Sequence, residues 1–409
     1  MSLRLATSAI FASGTTQINT LQAQMAKTQD QLSNNKRVLT ASDDPIASAR
    51  SLEVNQSQSM NTQFATNRNN AKSSLSLVDK TLQDVTAQIQ SIQTSIVAAG
   101  NASYTQSDRQ ALATQLEGQM KDLLGMANTT DGTGGYIFSG YQSTTQPFSQ
   151  TPTGATYQGD QGVRSLQVGS ARKMSVTANG SQIFDAVPTG NGVFQTQAAG
   201  ANAGSGIVSP GSVTDRSQLN GHNYAINFAV GGTPSATTYS VMDTTTNPAT
   251  EVVPSQPYTA GATISFGGMS TSISGAPADG DSFTVQPSQK QSVFETLQGL
   301  IDTLKAPADG STGKASLANN LATASSNMAN ALSNVLTVQA TVGANLNELD
   351  TLDSSGQALD EQYTQTLNNL DNYDLAKTIS LFTQQQQTLQ AAQISFKTMS
   401  GLSLFNYIS

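Results

Sequence analysis

One repeat near the C-terminus runs too far for a compact fold. Leu317, Leu321, Ala324, Met328, Ala331, Val335, Val338, Val342, Leu349, Leu352, Leu359, Tyr363, Leu370 and Tyr373 alternate at steps of four and three, and only Asn345, Gly356 and Thr366 interrupt them. This is heptad spacing, which makes a narrow helical seam rather than a broad globular face. At ~1.5 Å per residue one helix over this run is ~85 Å long. Such a helix needs partners along its whole length, from its own chain and from other chains.

The N-terminal part supplies candidates. Phe11, Ile18, Leu21, Met25 and Leu32 follow three- and four-residue steps up to Asn34-Asn35. A second helix restarts after Ser42-Asp43-Asp44-Pro45, with Asp44 as cap and Pro45 as first residue, where a missing N–H is harmless. It carries Leu75, Val78, Leu82, Val85, Ile89, Ile92 and Ile96 at unbroken 3-4 steps and ends at Gly100-Asn101. With Val335, Val342 and Leu349 these residues are the expected intrachain helical core. Ser107-Asp108-Arg109-Gln110 reads as a capping box opening a third helix.

Between Tyr141 and about Pro287 the composition turns to Gly, Thr, Ser and Pro and the period turns to two. Tyr224, Ile226, Phe228 and Val230 alternate with polar or small residues, as a half-buried strand requires. Ile264 and Phe266 lead through Gly267-Gly268 to Met269 and Ile273, a tight hairpin. Asn179-Gly180 and Asp279-Gly280 are further turn signals. The fold class is therefore mainly α, with an antiparallel β domain inserted between long N- and C-terminal helices.

The two ends carry the functional signal. Residues 375–409 hold two charged side chains, Lys377 and Lys397, and residues 1–35 hold Arg4, Lys27 and Asp30. Over the whole chain 11% of residues are charged, against roughly 25% in an average soluble protein. A helix facing water normally shows a charged face, whereas these show amides, as in Gln384 to Gln387. Such a surface suits burial among neighbouring chains, because amides can pair and no unpaired charge is desolvated. The expected axial assembly interface is Phe11, Ile18, Leu21, Met25, Leu375, Ile379, Phe382, Leu389, Phe396, Leu404 and Phe405.

Other functions find little support. A net charge of −8 gives no basic footprint for nucleic acid. The absence of Cys excludes disulfides and thiolate chemistry, and His222 is the single histidine. No apolar run reaches the ~18–20 residues of a membrane span, and Met1 to Thr20 has no apolar core like that of a cleaved signal. Gly310-Ser311-Thr312-Gly313-Lys314-Ala315 lacks the spacing and the Ser/Thr of a phosphate loop and reads as a flexible connector. Asp43-Asp44 reads as a helix cap rather than a metal pair, and His222 as a surface or turn residue. Nothing here calls for a cofactor or makes an enzyme.

At this point the residues resemble a family. Gln31-Leu32-Ser33-Asn34-Asn35-Lys36-Arg37-Val38, followed by Ser42-Asp43-Asp44-Pro45, is similar to the N-terminal signature of flagellins and hook-associated protein 3. So is Gly135-Tyr136-Ile137-Phe138-Ser139-Gly140. The C-terminal Asp371-Asn372-Tyr373-Asp374-Leu375-Ala376-Lys377-Thr378-Ile379-Ser380, then Gln384 to Gln387 and Leu389-Gln390-Ala391-Ala392-Gln393, and the final Leu402-Ser403-Leu404-Phe405-Asn406-Tyr407 match as well. Pro45 and the Leu404-Phe405-Asn406-Tyr407 ending resemble the hook–filament junction members rather than filament flagellin, the alternative. Asn34-Asn35 stands where the family usually has a glycine, which leaves that turn geometry open. The insert resembles hook-associated inserts loosely, through Tyr157-Gln158-Gly159-Asp160 and Gly280-Asp281-Ser282-Phe283.

The resemblance implies a flagellin-type helical bundle, secreted by the flagellar export apparatus with an export chaperone. It implies a ring of copies in the flagellar axis, between hook-associated protein 1 and flagellin. Residues 1–42 and 366–409 would form the inner tube, 43–140 and 291–365 the helical middle layer, and 141–290 the outer β domain. Nucleic-acid binding and membrane insertion are not implied.

Overall fold

The computed structural model describes residues 7–401 other than 233 and 372. Six helices frame it: α1 (Thr7–Asn34), α2 (Pro45–Ala99), α3 (Gln106–Ala127), α4 (Val293–Lys305), α5 (Gly310–Asp371) and α6 (Leu375–Gly401). The chain divides into two compact units, Met1–Thr66 with Leu352–Ser409, and Asn67–Thr351. Helices α2 and α5 each contribute to both.

In the second unit the α2 seam forms the helical core. Leu75, Val78, Leu82, Val85, Ile89, Ile92 and Ile96 are all 3% exposed or less. Met328, Ala331, Val335, Val342 and Leu349 of α5 are buried too. Each large aliphatic side chain so placed is worth ~1.5–3 kcal/mol. Polar contacts lock the register: Lys72 Nζ lies 2.6 Å from Asp350 Oδ1, and Gln339 Nε2 donates to Asp79 Oδ1 at 3.2 Å. Helix α3 starts two residues earlier than the Ser107 motif suggests, because Thr105 is the cap. Its hydroxyl accepts from Asp108 N–H, and its own N–H donates to Asp108 Oδ2 at 2.8 Å.

Among the described residues fifteen strands lie between α3 and α4. Two hairpins come first, β1 (Phe148–Thr151) with β2 (Gly154–Tyr157) and β3 (Ser165–Gly169) with β4 (Arg172–Ser175). There follow β5 (Val187–Pro188), β6 (Phe194–Ala198), β7 (Ile207–Val208), β8 (Ser212–Val213) and β9 (Tyr224–Gly231). The last are β10 (Ala236–Asp243), β11 (Thr250–Pro257), β12 (Thr263–Phe266), β13 (Met269–Ser274), β14 (Ser282–Pro287) and β15 (Lys290–Gln291). One antiparallel sheet has the order β11-β10-β9-β14-β6, and a second runs β12-β13-β7 with β8 also on β13. Tyr224, Ile226 and Phe228 point into a shared core with Phe266, Met269, Ile273, Phe283 and Val285. Val230, at the far end of β9, is exposed. The β12–β13 hairpin pairs Phe266 with Met269, and Gly267 and Gly268 have φ of +51° and +75°. Positive φ at both turn positions matches the right-handed strand twist.

Two further segments take definite forms. Asn179-Gly180, read as a turn signal, leads into a π-helical turn, Ser181–Asp185. It carries Phe184 onto Phe138, Phe148 and Phe294 with ring centroids 5.4–5.8 Å apart. The segment read as a flexible connector is the first turn of α5. Gly313 N–H donates to Asp309 O at 3.1 Å, and a Cβ on Gly313 would lie 2.6 Å from the Ala308 carbonyl carbon. Packing that close favours helix over a loose linker.

Asparagines on α5 hold the β region. Asn319 Oδ1 accepts from Val208 N–H at 2.9 Å while its Nδ2 donates to Gly206 O at 3.0 Å. Asn327 Oδ1 accepts from Gly190 N–H at 2.9 Å. Asn330 Nδ2 donates to Pro188 O and Gly190 O, both at 2.8 Å, and Asn334 Nδ2 to Gln182 O at 2.7 Å. The amides thus satisfy main-chain groups that short strands leave unpaired. His222 is also engaged, with Nδ1 2.5 Å from Asp243 Oδ2.

Candidate assembly site

The motif at residues 31–45 folds around a left-handed asparagine. Helix α1 closes at Asn34, Asn35 takes φ +52°, and Lys36 N–H donates back to Gln31 O at 3.1 Å. That is the Schellman closure in which glycine is usual; asparagine adopts this conformation at the least cost among the others.

Arg37 then caps a different helix. Its main-chain N–H donates to Asp371 Oδ1 at 2.6 Å, its Nε to Asp371 O at 3.1 Å, and its Nη2 to Leu370 O at 2.8 Å. A cation on the last carbonyls of α5 meets orphan acceptors and the negative end of the helix dipole. The same Nη2 donates to Asp44 Oδ2 at 3.0 Å, while Asp44 Oδ1 accepts from Ala47 N–H at 3.0 Å. Asp44 therefore caps α2, as expected, and braces Arg37. Asp43 Oδ2 accepts from Leu39 and Thr40 N–H, and its Oδ1 lies 2.6 Å from Lys27 Nζ. Lys27, with these two N–H groups, holds the Asp43 carboxyl well below the usual carboxylate range. For Asp44 the Ala47 N–H and then Arg37 act in the same direction. Asp374 Oδ1 accepts from Lys377 N–H at 3.0 Å and starts α6. So residues 31–45 and 370–377, far apart in sequence, build one clamp joining the ends of four helices. A cleft of about 300 Å³ opens beside it, lined by Lys36, Val38, Ala47, Ser51, Leu367 and Asp371 among others.

Beyond the clamp, α1 and α6 pair. The rings of Phe11 and Phe396 are 4.8 Å apart. A Cβ on Gly14 would lie 2.7 Å from the Phe396 ring, so glycine sets how closely the helices approach. Leu389 is buried, 7% exposed, and Ile18, Leu21, Met25, Phe382 and Phe396 are half-buried. Phe11, Leu375 and Ile379 are largely exposed. Leu404 and Phe405 lie outside the described residues. Further exposed apolar residues of this unit escaped the periodicity argument, foremost Ile46 (83%), Leu52 (71%) and Ile394 (67%). The sequence signal for Ile46 was an apolar residue directly after Pro45, the first residue of α2.

Another pair of motifs meets in the second unit. Asp160 Oδ1 accepts from Tyr141 N–H at 3.0 Å, and Tyr157 Oη donates to Phe138 O at 2.9 Å. Gly140, at φ +75°, packs against Asp160 where a side chain has no room. Ile137 and Phe138 are buried beneath this turn.

Among the described residues no three His, Asp or Glu side chains converge as a metal site, and no helix is long and apolar enough to cross a membrane. The geometry suits mechanical work: braced helix ends and apolar side chains without a cover.

Comparison with known proteins gives concordant results. Residues 6–143 match the family model of the bacterial flagellin N-terminal helical region. Residues 198–287 match that of the flagellar hook-associated protein 1, D2-like domain. Flagellar hook-associated protein 3 of Escherichia coli K12 is 30% identical over 404 residues, 98% of this chain and 99% of the relative. The crystal structure of flagellar hook associated protein-3 from Legionella pneumophila superposes with a TM-score of 0.75 at 31% identity, over 78% of this chain and 99% of that one. That of the flagellar junction protein FlgL from the same organism gives 0.72 at 31% identity, over 79% and 100%.

Proposed function

Since the chain belongs to the flagellar hook-associated protein 3 family, we propose that it is a non-catalytic structural subunit seated where the flagellar hook meets the filament. The observation that carries this reading is full-length likeness to hook-associated protein 3, together with a nearly uncharged helical pair whose outer apolar residues are uncovered. Copies of the chain form a ring in the flagellar axis through α1 and α6, with hook-associated protein 1 on one side and flagellin on the other. The match of residues 198–287 to a domain of hook-associated protein 1 supports kinship with that neighbour. The subunit leaves the cell through the flagellar export apparatus, delivered by an export chaperone. Residues 1–42 and 366–409 line the tube, 43–140 and 291–365 form the layer around it, and 141–290 face outward. The clamp of Arg37, Asp44 and Asp371 keeps α1 and α6 aimed at their neighbours.

Ile379→Asp tests this. It puts a charge on an exposed position, so the monomer should melt as the parent does, while the ring cannot bury it. Cells carrying it should export the protein and flagellin into the medium without holding filaments. Normal filaments on such cells overturn the assembly reading. Immunogold labelling of intact flagella should give a single band at the hook–filament boundary; labelling along the whole filament would make the chain a flagellin instead.

A further inference from the structure

Three Asn-Gly steps occur in the chain, at Asn179-Gly180, Asn191-Gly192 and Asn220-Gly221. Such a step can react with itself. The glycine main-chain nitrogen loses its proton to solvent and attacks the asparagine Cγ. The bond from Cγ to the side-chain nitrogen breaks, and ammonia leaves with a proton from water. The cyclic imide then adds one water at either carbonyl, giving aspartate or isoaspartate. No reactant other than water is needed, and glycine makes the approach easiest because it has no Cβ in the way.

Two requirements decide whether a folded chain permits this: a free glycine N–H and an asparagine side chain that can turn. At Asn179 neither is met. The side chain is 2% exposed, its Nδ2 donates to Asp160 O at 2.9 Å, and Gly180 N–H donates to Phe138 O at 3.0 Å. At Asn191 the side-chain oxygen accepts from Val193 and Phe194 N–H at 3.0 and 2.9 Å. Its nitrogen donates to Gly211 O at 3.2 Å, and Gly192 N–H donates to Thr189 O at 3.2 Å. Asn220-Gly221 differs. Both residues are exposed, Gly221 has φ +72° with nothing within 4 Å of its Cβ position, and among the described hydrogen bonds its N–H donates to none. The Asn220 side chain accepts from His222 N–H at 3.1 Å and meets a single side chain, the Tyr224 hydroxyl at the start of β9, with Nδ2 2.8 Å and Oδ1 3.0 Å from it.

We propose that Asn220-Gly221 is a built-in deamidation site of the outer β region, and that the other two steps are protected by the fold. The product carboxylate stands in the loop that His222 ties to Asp243 at 2.5 Å. It accepts from the Tyr224 hydroxyl but can no longer donate to it, so the loop before β9 loosens as the protein ages.

The test is incubation of the full-length chain in mildly alkaline buffer, with digestion and mass spectrometry at intervals and isoaspartyl methyltransferase labelling. In the folded chain Asn220 should convert at least about tenfold faster than Asn179 or Asn191, the factor given by ~1.4 kcal/mol of retained hydrogen bonding. In denaturant the three rates should converge. Equal rates in the folded chain, first conversion at Asn179 or Asn191, or no conversion at Asn220 would each overturn the proposal.

Discussion

Replacing Asn319 with alanine should be among the costlier polar substitutions in the chain. The side chain is 6% exposed, and it alone satisfies Val208 N–H and Gly206 O from the α5 side, in bonds of 2.9 and 3.0 Å. Alanine leaves one buried donor and one buried acceptor unmet, at ~1–3 kcal/mol each. Partial entry of water lowers the sum, so the expected loss is about 2–4 kcal/mol. Asn319→Leu keeps the volume and removes the bonds, so it should lose a similar amount; a loss confined to alanine would point to packing instead. Asn330→Ala, which removes two donors at a half-buried position, should cost only about 0.5–1.5 kcal/mol. The chain has no Trp, so urea unfolding is best followed by circular dichroism. Amide exchange at Val208 reports the bond itself. If both Asn319 variants unfold within about 0.5 kcal/mol of the parent, the asparagines are not what holds β7 to α5.

Three more outcomes are expected. Ile89→Ala, at a fully buried seam position, should destabilise the chain by about 2–5 kcal/mol in the same assay. The clamp should weaken in acid: Asp43 and Asp44 have folded pKa values below their unfolded ones, so their contribution is complete above ~4 and is lost as pH falls through the folded values. Rising amide exchange at Leu39 and Thr40 below that pH, flattened in Asp43→Asn, would register it. Asp185 should behave in the opposite sense, because burial raises its carboxyl and its Oδ1 has no hydrogen-bond partner. Its contribution is complete below the unfolded value of ~3.9 and is lost as pH rises through the folded one, so Asp185→Asn should remove that decline.

Periodicity made the α2 seam legible because every position from Leu75 to Ile96 is apolar over a short span. Along α5 it carried less far. Leu359, expected in the seam, is 43% exposed, whereas Gly356, counted as an interruption, is buried and accepts from Asn61 Nδ2 at 2.7 Å. A straight helix drifts by ~20° per heptad against a strict 3.5 repeat, so the buried stripe leaves the 3-4 pattern after several turns. The clamp was only half legible. Asp44 announced a cap, but nothing in Arg37 itself names Leu370 and Asp371 as partners more than 300 residues away. The asparagines of α5 were harder still, since an amide on a helix looks the same whether it faces water or a strand.

Those asparagines bond almost wholly to peptide groups, Asn327 Nδ2 on Gln291 Oε1 at 3.2 Å being the exception among the bonds described, and this separates two kinds of inheritance. Helix α5 dictates the path that the main chain takes near Pro188 to Gly190 and Gly206 to Val208, yet it is indifferent to the residues carried there. The face of the β region turned away from α5 can therefore change its lettering almost freely while keeping its seat. A transplant of another such domain onto this helix would have to reproduce three short stretches of backbone, at Gln182 to Ile183, Pro188 to Gly190 and Gly206 to Val208, and few side chains, Gln291 and Arg172 among them.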